Sequence, residues 1–189
     1  MRKSRVHGPL VERARRGDRE AFDALARDVG DQCMAIAFRI LRDVDRADDA
    51  VQSALISAWR QLGALRDPDA FEPWLHRILT NECYAEARRR NRFRAEIRLI
   101  PLAAHIDSQD ILTINDRDQL DRAFRRLTLE QRAVLVFHLY VGLPLPEVAT
   151  RLGIPLGTAK SRFHRASAAL RASLNADARV SANSQERTA

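Results

Sequence analysis

Leu145-Pro146-Glu147-Val148-Ala149-Thr150-Arg151-Leu152-Gly153-Ile154-Pro155-Leu156-Gly157-Thr158-Ala159-Lys160-Ser161-Arg162 is the stretch on which the reading of this chain turns. Val148, Ala149 and Leu152 give a short helix its inner face, and the small Ala149 lets a following helix approach closely. Gly153 supplies a residue able to take φ > 0 in the turn. A second helix is expected from about Gly157-Thr158, where Thr158 is placed to cap it or to meet a phosphate at its N-terminus. On that helix Ala159, Phe163, Ala166 and Leu170 share an inward face. Lys160, Ser161, His164 and Arg165 share the opposite one, at i, i+1, i+4 and i+5. A polar face opening the second helix is how helix-turn-helix motifs enter a major groove. An ordinary helical hairpin with a solvated basic face is the plainer alternative, and it leaves the shared register of alanine, glycine and basic face as coincidence. His164 taken singly is as compatible with an exposed histidine of no role.

The charge of the chain agrees with an anionic partner. Its 189 residues carry 32 basic and 25 acidic side chains, a net charge of +7. Lys3 and Lys160 are the only lysines, so arginine supplies the rest. Guanidinium forks match phosphates and guanine edges bidentately. A GC-rich coding bias would also replace lysine by arginine throughout, so position has to decide. Residues 1–98 hold 20 basic and 16 acidic side chains, and residues 117–189 hold 12 and 6. Between them, residues 99–116 hold no basic residue and three aspartates, Asp107, Asp110 and Asp116. Two basic modules flank a short acidic connector.

Working outward, apolar periodicity is helical almost throughout. Leu120, Phe124 and Leu127 open the second module, and Thr128 with Gln131 forms a capping-box signal before Ala133. In the first module Ala50, Val51, Ala54, Leu55, Ala58, Trp59 and Leu62 make an amphipathic stripe. Before it, Phe22, Leu25, Val29, Ile36, Ile40 and Leu41 predict a long helix or a pair bent around Gly30. A further helix is expected to open at Asp69, with Glu72 at capping-box spacing and Pro73 in the first turn. Its stripe of Phe71, Trp74, Leu75 and Ile78 runs out through Arg88, Arg89, Arg90, Arg92 and Arg94. A helix C-terminus favours cations by about 0.3–1 kcal/mol each. That excuses one or two, whereas five arginines in seven residues repel one another and ask for an anion. The connector from about Ala95 lacks a clean period. Twenty extended residues span at most roughly 65 Å, or about 19 base pairs of duplex at ~3.4 Å each. The tail from Asn175 is rich in Ala, Ser and Asn and is expected to be disordered.

Several classes are disfavoured. The longest apolar runs, such as 133–137, fall far short of the roughly 18 residues of a membrane span. No signal peptide is evident behind the basic N-terminus. Cys33 and Cys83 lack metal-type spacing, which argues against a disulfide scaffold or a zinc site. Asp45, Asp48 and Asp49 cluster at a helix start, where acids suit the dipole, and no phosphate loop or nucleophile motif accompanies them. No catalytic residue, metal or cofactor is expected, and the protein is expected to be cytoplasmic.

At this point a resemblance becomes specific. Gly157-Thr158-Ala159-Lys160-Ser161-Arg162, with Arg165-Ala166, Leu170-Arg171 and the approach Leu127-Thr128-x-x-Gln131-Arg132, resembles region 4 of the extracytoplasmic-function (ECF) sigma factors, bacterial initiation factors of the sigma-70 family. Ala159 departs from the valine usual there. Asp45-Arg46-Ala47-Asp48-Asp49-Ala50-Val51-Gln52 with Ala58-Trp59 resembles the region 2.2 helix. Phe71-x-x-Trp74-Leu75-x-x-Ile78-x-x-Asn81 with Arg88-Arg89-Arg90 resembles regions 2.3 and 2.4. The resemblance implies an all-α chain of two small helical domains, residues 8–94 and 116–174, joined by a flexible linker at 95–115 and followed by a disordered tail at 175–189.

It further implies that Lys160, Ser161, His164 and Arg165 read −35 bases, with Thr158 and Arg162 nearer phosphates. Asn81, Arg88, Arg89, Arg90 and Arg92 would meet the −10 element, beside the loop at 63–70. Asn81 is equally readable as a helix-surface amide. Phe71, Trp74 and Tyr84 have the chemistry to stack bases, although helical spacing places the first two in a core. Asp48, Asp49, Gln52 and Ile56 face away from the apolar stripe, and the resemblance makes them the face that docks on the coiled coil of the largest subunit of core RNA polymerase. The partners implied are core polymerase, promoter DNA and an anti-sigma factor, with nucleoid association when polymerase is bound. A rival remains in an autonomous regulator with a helix-turn-helix tethered to a helical sensor. It explains residues 117–172 equally well, but not the arginine run and the Asp49/Gln52/Ile56 face in the other module.

Overall fold

The computed structural model describes residues 7–97 and 122–186, with side chains placed for 7–90 and 122–173. Among the described residues there is no strand. Four helices build the first module: α1 (Gly8–Arg15), α2 (Arg19–Leu41), α3 (Val44–Gln61) and α4 (Phe71–Ile97). The second holds a single turn α5 (residues 122–125), α6 (Leu129–Leu135) with a π-helical turn (Val136–Tyr140), α7 (Leu145–Leu152) and α8 (Leu156–Glu186). No described helix is long and apolar enough to cross a membrane.

Local chemistry sets the helix starts. Asp18 caps α2 by accepting from the Ala21 amide at 3.1 Å, and Asp43 caps α3 through the Arg46 amide at 3.2 Å. Each satisfies one of the four amides a helix start leaves without a partner. Thr128 and Gln131 make both bonds of the expected capping box, at 3.3 and 2.9 Å. α2 runs straight through Gly30, so the bent-pair alternative falls away. It ends instead at Arg42, which takes φ 59° and returns its amide to the Phe38 carbonyl at 2.7 Å. An arginine in this left-handed turn costs about 1–2 kcal/mol.

Two expectations are corrected. α4 opens at Phe71, not Asp69, because Pro68 starts a 3₁₀ turn whose cap is Asp67, accepting from the Asp69 amide at 3.0 Å. Glu72 is thereby released from any cap and lies 3.3 Å from the His7 ring. The tail read as disordered continues as helix α8 to Glu186. No glycine or proline follows Gly157, and the alanine-rich composition that lacks core-forming residues is also a strong helix former. The connector expected at 95–115 lies almost wholly outside the described residues.

The first module packs Leu25, Ile36, Ile40, Phe71, Leu75 and Leu79 at its centre. The second has a small cluster of Leu127, Leu135 and Ala166. Its remaining apolar face is not separate. Ala133, Val134, Val136, Phe137, Val148 and Leu152 are continuous with the core of the first module, with α7 against α4 and α6 against α2.

Candidate nucleic-acid interface

The helix-turn-helix forms as its spacing demanded. Val148 and Ala149 are buried, Leu152 nearly so, and Gly153 takes φ 64° as the left-handed end of α7. Its amide bonds the Thr150 carbonyl at 3.2 Å, and the Ile154 amide bonds Ala149 at 3.0 Å, which turns the chain into α8. Ala159 and Ala166 are fully buried beneath that helix. Lys160, His164 and Arg165 are exposed, while Ser161 is half-buried with its hydroxyl donating to the Thr158 carbonyl at 3.0 Å. α8 starts at Leu156, so Thr158 sits inside its first turn rather than at the cap.

On α4, Asn81, Arg88, Arg89 and Arg90 are exposed. Two of the arginines already have carboxylate neighbours: Arg89 with Glu86 at 3.1 Å and Arg90 with Asp43 at 3.5 Å. Exposed pairs of this kind are worth about 0–1 kcal/mol, so a phosphate can displace them. Arg92 lies on α4, and its side chain falls outside those described. Phe71 is core, as its spacing suggested, and Trp74 packs against that core.

A different face forms on α3. Asp48, Asp49 and Gln52 are exposed in a row, with Gln52 Nε2 donating to Asp48 at 2.6 Å, and Ile56 is 52% exposed beside them. Behind Ile56 lies an open hollow of about 400 Å³ floored by Phe22 and Trp59, whose rings stand 5.0 Å apart, and edged by Arg19 and Asp23. Sequence reasoning missed this hollow. Phe22 and Trp59 carry only a core signal on their own helices, and nothing local says that α2 and α3 bring them together.

Each of these faces belongs to a segment with known relatives. Residues 25–93 match the family model for sigma-70 region 2, and residues 117–170 match that for sigma-70 region 4. The ECF RNA polymerase sigma factor SigM of Mycobacterium tuberculosis is 35% identical over 178 residues, covering 89% of this chain and 85% of the relative. The chain is an ECF sigma factor of the sigma-70 family. The RNA polymerase sigma-H factor of Pseudomonas aeruginosa is 30% identical over 173 residues, 85% of this chain and 90% of that protein. Among solved structures, CnrH in complex with the cytosolic domain of CnrY superposes with a TM-score of 0.65 at 28% identity, covering 91% of this chain and 99% of that one. The sigma factor RpoE in complex with the anti-sigma factor NepR from Bartonella quintana gives 0.64 at 27%, covering 82% and 98%. As a sigma factor, this chain works with core RNA polymerase and promoter DNA and directs transcription initiation.

In this sigma factor the two modules meet along a seam that no local motif announced. His76 of α4 is buried, 5.3 Å ring to ring from Phe137, and its Nδ1 lies 2.7 Å from an Arg151 guanidinium nitrogen of α7. Arginine only donates, so Nδ1 carries the lone pair and the imidazole is neutral. Tyr84 of α4 is also drawn into the seam, where burial pushes its hydroxyl up to about 12 against the pull of Arg162. Arg162, expected near phosphate, thus lies half-buried beside region 2 in this arrangement.

Burial, with the Arg151 charge second, holds His76 down to about 3 against an ordinary 6.5. The unfolded chain binds a proton here below pH 6.5 and the folded one does not until about pH 3. This part of the stability is therefore complete above pH 6.5 and is lost as pH falls through that window, by up to about 1.4 kcal/mol per unit. His76→Leu is expected to remove that slope, read from urea midpoints at pH 7 and pH 5. An unchanged pH difference in the variant would refute the assignment.

Proposed function

We propose that region 2, taken as residues 8–94, anchors the factor on core polymerase through Asp48, Asp49, Gln52 and Ile56. Its α4 face, Asn81 with Arg88, Arg89, Arg90 and Arg92, reads and opens the −10 element. Region 4, taken as residues 116–174, reads the −35 element by inserting α8. Lys160, Ser161, His164 and Arg165 meet bases there, with Thr158 and Arg162 nearer the backbone. Residues 95–115 connect the two, and 175–189 form the tail. The chain acts in the cytoplasm, associates with the nucleoid through polymerase, and adds no chemistry of its own. An anti-sigma factor is its sequestering partner, a reading supported by the likeness to RpoE, a sigma factor solved in complex with the anti-sigma factor NepR.

The observation that carries this reading is the coexistence of two unlike exposed faces. One is a basic face on a helix that follows a left-handed glycine turn, and the other is an acidic row with an exposed isoleucine on α3. A free-standing regulator needs the first and has no use for the second. The test is run-off transcription on fragmented genomic DNA with core polymerase from the same host, with and without the chain. Discrete transcripts that require the chain are expected. Failure to bind core, combined with tight operator binding by the chain alone, would instead support the regulator reading.

Within this reading Arg89 contacts backbone rather than bases. Arg89→Ala is expected to weaken open-complex formation on every promoter alike and to flatten the logarithmic salt dependence by about one unit. A change in the ranking of promoters would contradict that role.

A further inference from the structure

We propose that His7 is a positioning residue for the −10 strand: it ties α1 to α2 and α4 at the foot of the loop at 62–70, and so holds that loop in the arrangement that meets DNA. The inference rests on reading that loop and the α4 face as the −10 surface. Neither His7 nor α1 falls within residues 25–93, the segment that matches region 2.

The bridge is buried and two-sided. His7 is 6% exposed, with Nδ1 3.4 Å from a carboxylate oxygen of Asp28 on α2 and Nε2 3.3 Å from one of Glu72 on α4. A neutral imidazole has one N–H and one lone pair and can donate to only one of them, whereas the protonated ring donates to both. The same ring packs edge-to-face with Phe71, the first residue of α4, at 5.8 Å between centroids. Removing it leaves the Asp28 and Glu72 carboxylates on either side of a gap, where like charges push α2 and α4 apart.

The bridge also sits where the loop is fastened. The His7 carbonyl accepts from the Val11 amide at 2.9 Å as α1 begins, and Val11 and Ala14 bury that helix against the core. α1 in turn packs against both 3₁₀ turns of the loop, Leu62–Ala64 and Pro68–Ala70. Gly8 lies so close that a Cβ built on it would stand 3.4 Å from the Asp69 carboxylate. Leu62 and Leu65 anchor the loop from inside, and two backbone bonds hold it, Leu65 to Leu62 and Ala70 to Asp67, both 3.1 Å. Its outer residues Gly63, Arg66, Asp67 and Asp69 are exposed. A segment with so few bonds of its own keeps one arrangement only if the surface beneath it is fixed, and α1 is that surface. Phe71 to Asn81 is roughly 15 Å along α4, so the loop and Asn81 lie within reach of one short run of strand. A strand that needs the loop in one arrangement is bound in proportion to the fraction of molecules that hold it.

The test uses the full chain, first free and then with core polymerase. In the free chain, hydrogen exchange read by mass spectrometry should be about tenfold faster over 62–70 in His7→Leu, the loss of one charge-assisted hydrogen bond. His7→Gln, which keeps one donor, should speed it about threefold. Peptides from α6 and α7 should not change, which separates a loosened loop from a variant that has merely unfolded. If His7→Leu unfolds, His7→Gln carries both readouts. In holoenzyme, the probe is a fluorescent single strand with the −10 non-template sequence of a promoter recovered by run-off transcription. Its binding should weaken by the same factors while binding of the −35 duplex holds, a split that a merely structural bridge would not produce. Unchanged loop exchange in a folded variant, or faster exchange with full −10 affinity, would overturn the proposal. Equal binding of the −10 strand and a scrambled one by the unsubstituted holoenzyme would count against the −10 reading alone, because the exchange result stands without it.

Discussion

Phe137→Ala is expected to lower the unfolding free energy by about 3–5 kcal/mol and to split one unfolding transition into two. The ring is completely buried in the π-helical turn and contacts the His76 imidazole of the other module at 5.3 Å between centroids. Truncation removes transfer free energy and leaves a cavity that cannot collapse readily. The Phe137 carbonyl is bonded to the Leu143 amide at 3.1 Å, and His138 Nδ1 donates to the Leu143 carbonyl at 2.7 Å. These bonds hold the backbone on either side of the hole. Since region 2 keeps its own centre of Leu25, Ile36, Ile40 and Phe71, it should outlive region 4 once the shared interior is broken. Urea denaturation followed by tryptophan emission, from Trp59 and Trp74 of region 2, and by far-UV dichroism, from both modules, separates the two events. A loss below about 1 kcal/mol with coincident transitions would show that the ring does not join the modules.

Arg165→Ala is expected to reduce discrimination between promoters that differ at one −35 base pair by about 1–3 kcal/mol, roughly 5- to 150-fold. Arg165 is exposed on the outer face of α8, and among the described residues no carboxylate is paired with it. Nothing in the protein has to be broken for the fork to reach a base, and its removal leaves no buried group unsatisfied. Stability should therefore hold while specificity falls, the reverse of Phe137→Ala. Competitive run-off transcription from a library randomised over the −35 region reads the effect directly. If the ranking of promoters is untouched, the recognition face lies elsewhere on α8.

Legibility in the sequence followed the range of the interaction. Thr128 with Gln131 and Gly153 after α7 are signals carried by neighbours within four residues, and the helices begin and end where they point. The failures are local too, but between competing codes. Asp67-Pro68 takes the cap that Asp69 and Glu72 were expected to form, because proline fixes the first turn two residues earlier. Arg42 ends α2 in a conformation usually left to glycine, so composition gave no warning.

By itself, the sequence determined two helical modules, the turn chemistry of the helix-turn-helix, the exposed basic face of α8 and the acidic row on α3. Those depend on helical period and on residues a few positions apart. Only the tertiary structure decided that Phe22 and Trp59 floor one hollow, that Phe137 lies under His76, and that Arg151 closes on a partner 75 residues away. A histidine on an apolar stripe and an arginine on a short helix carry no mark of each other. Their pairing is fixed by apolar surface on two helix faces finding the arrangement that buries both, and that is a property of the folded whole.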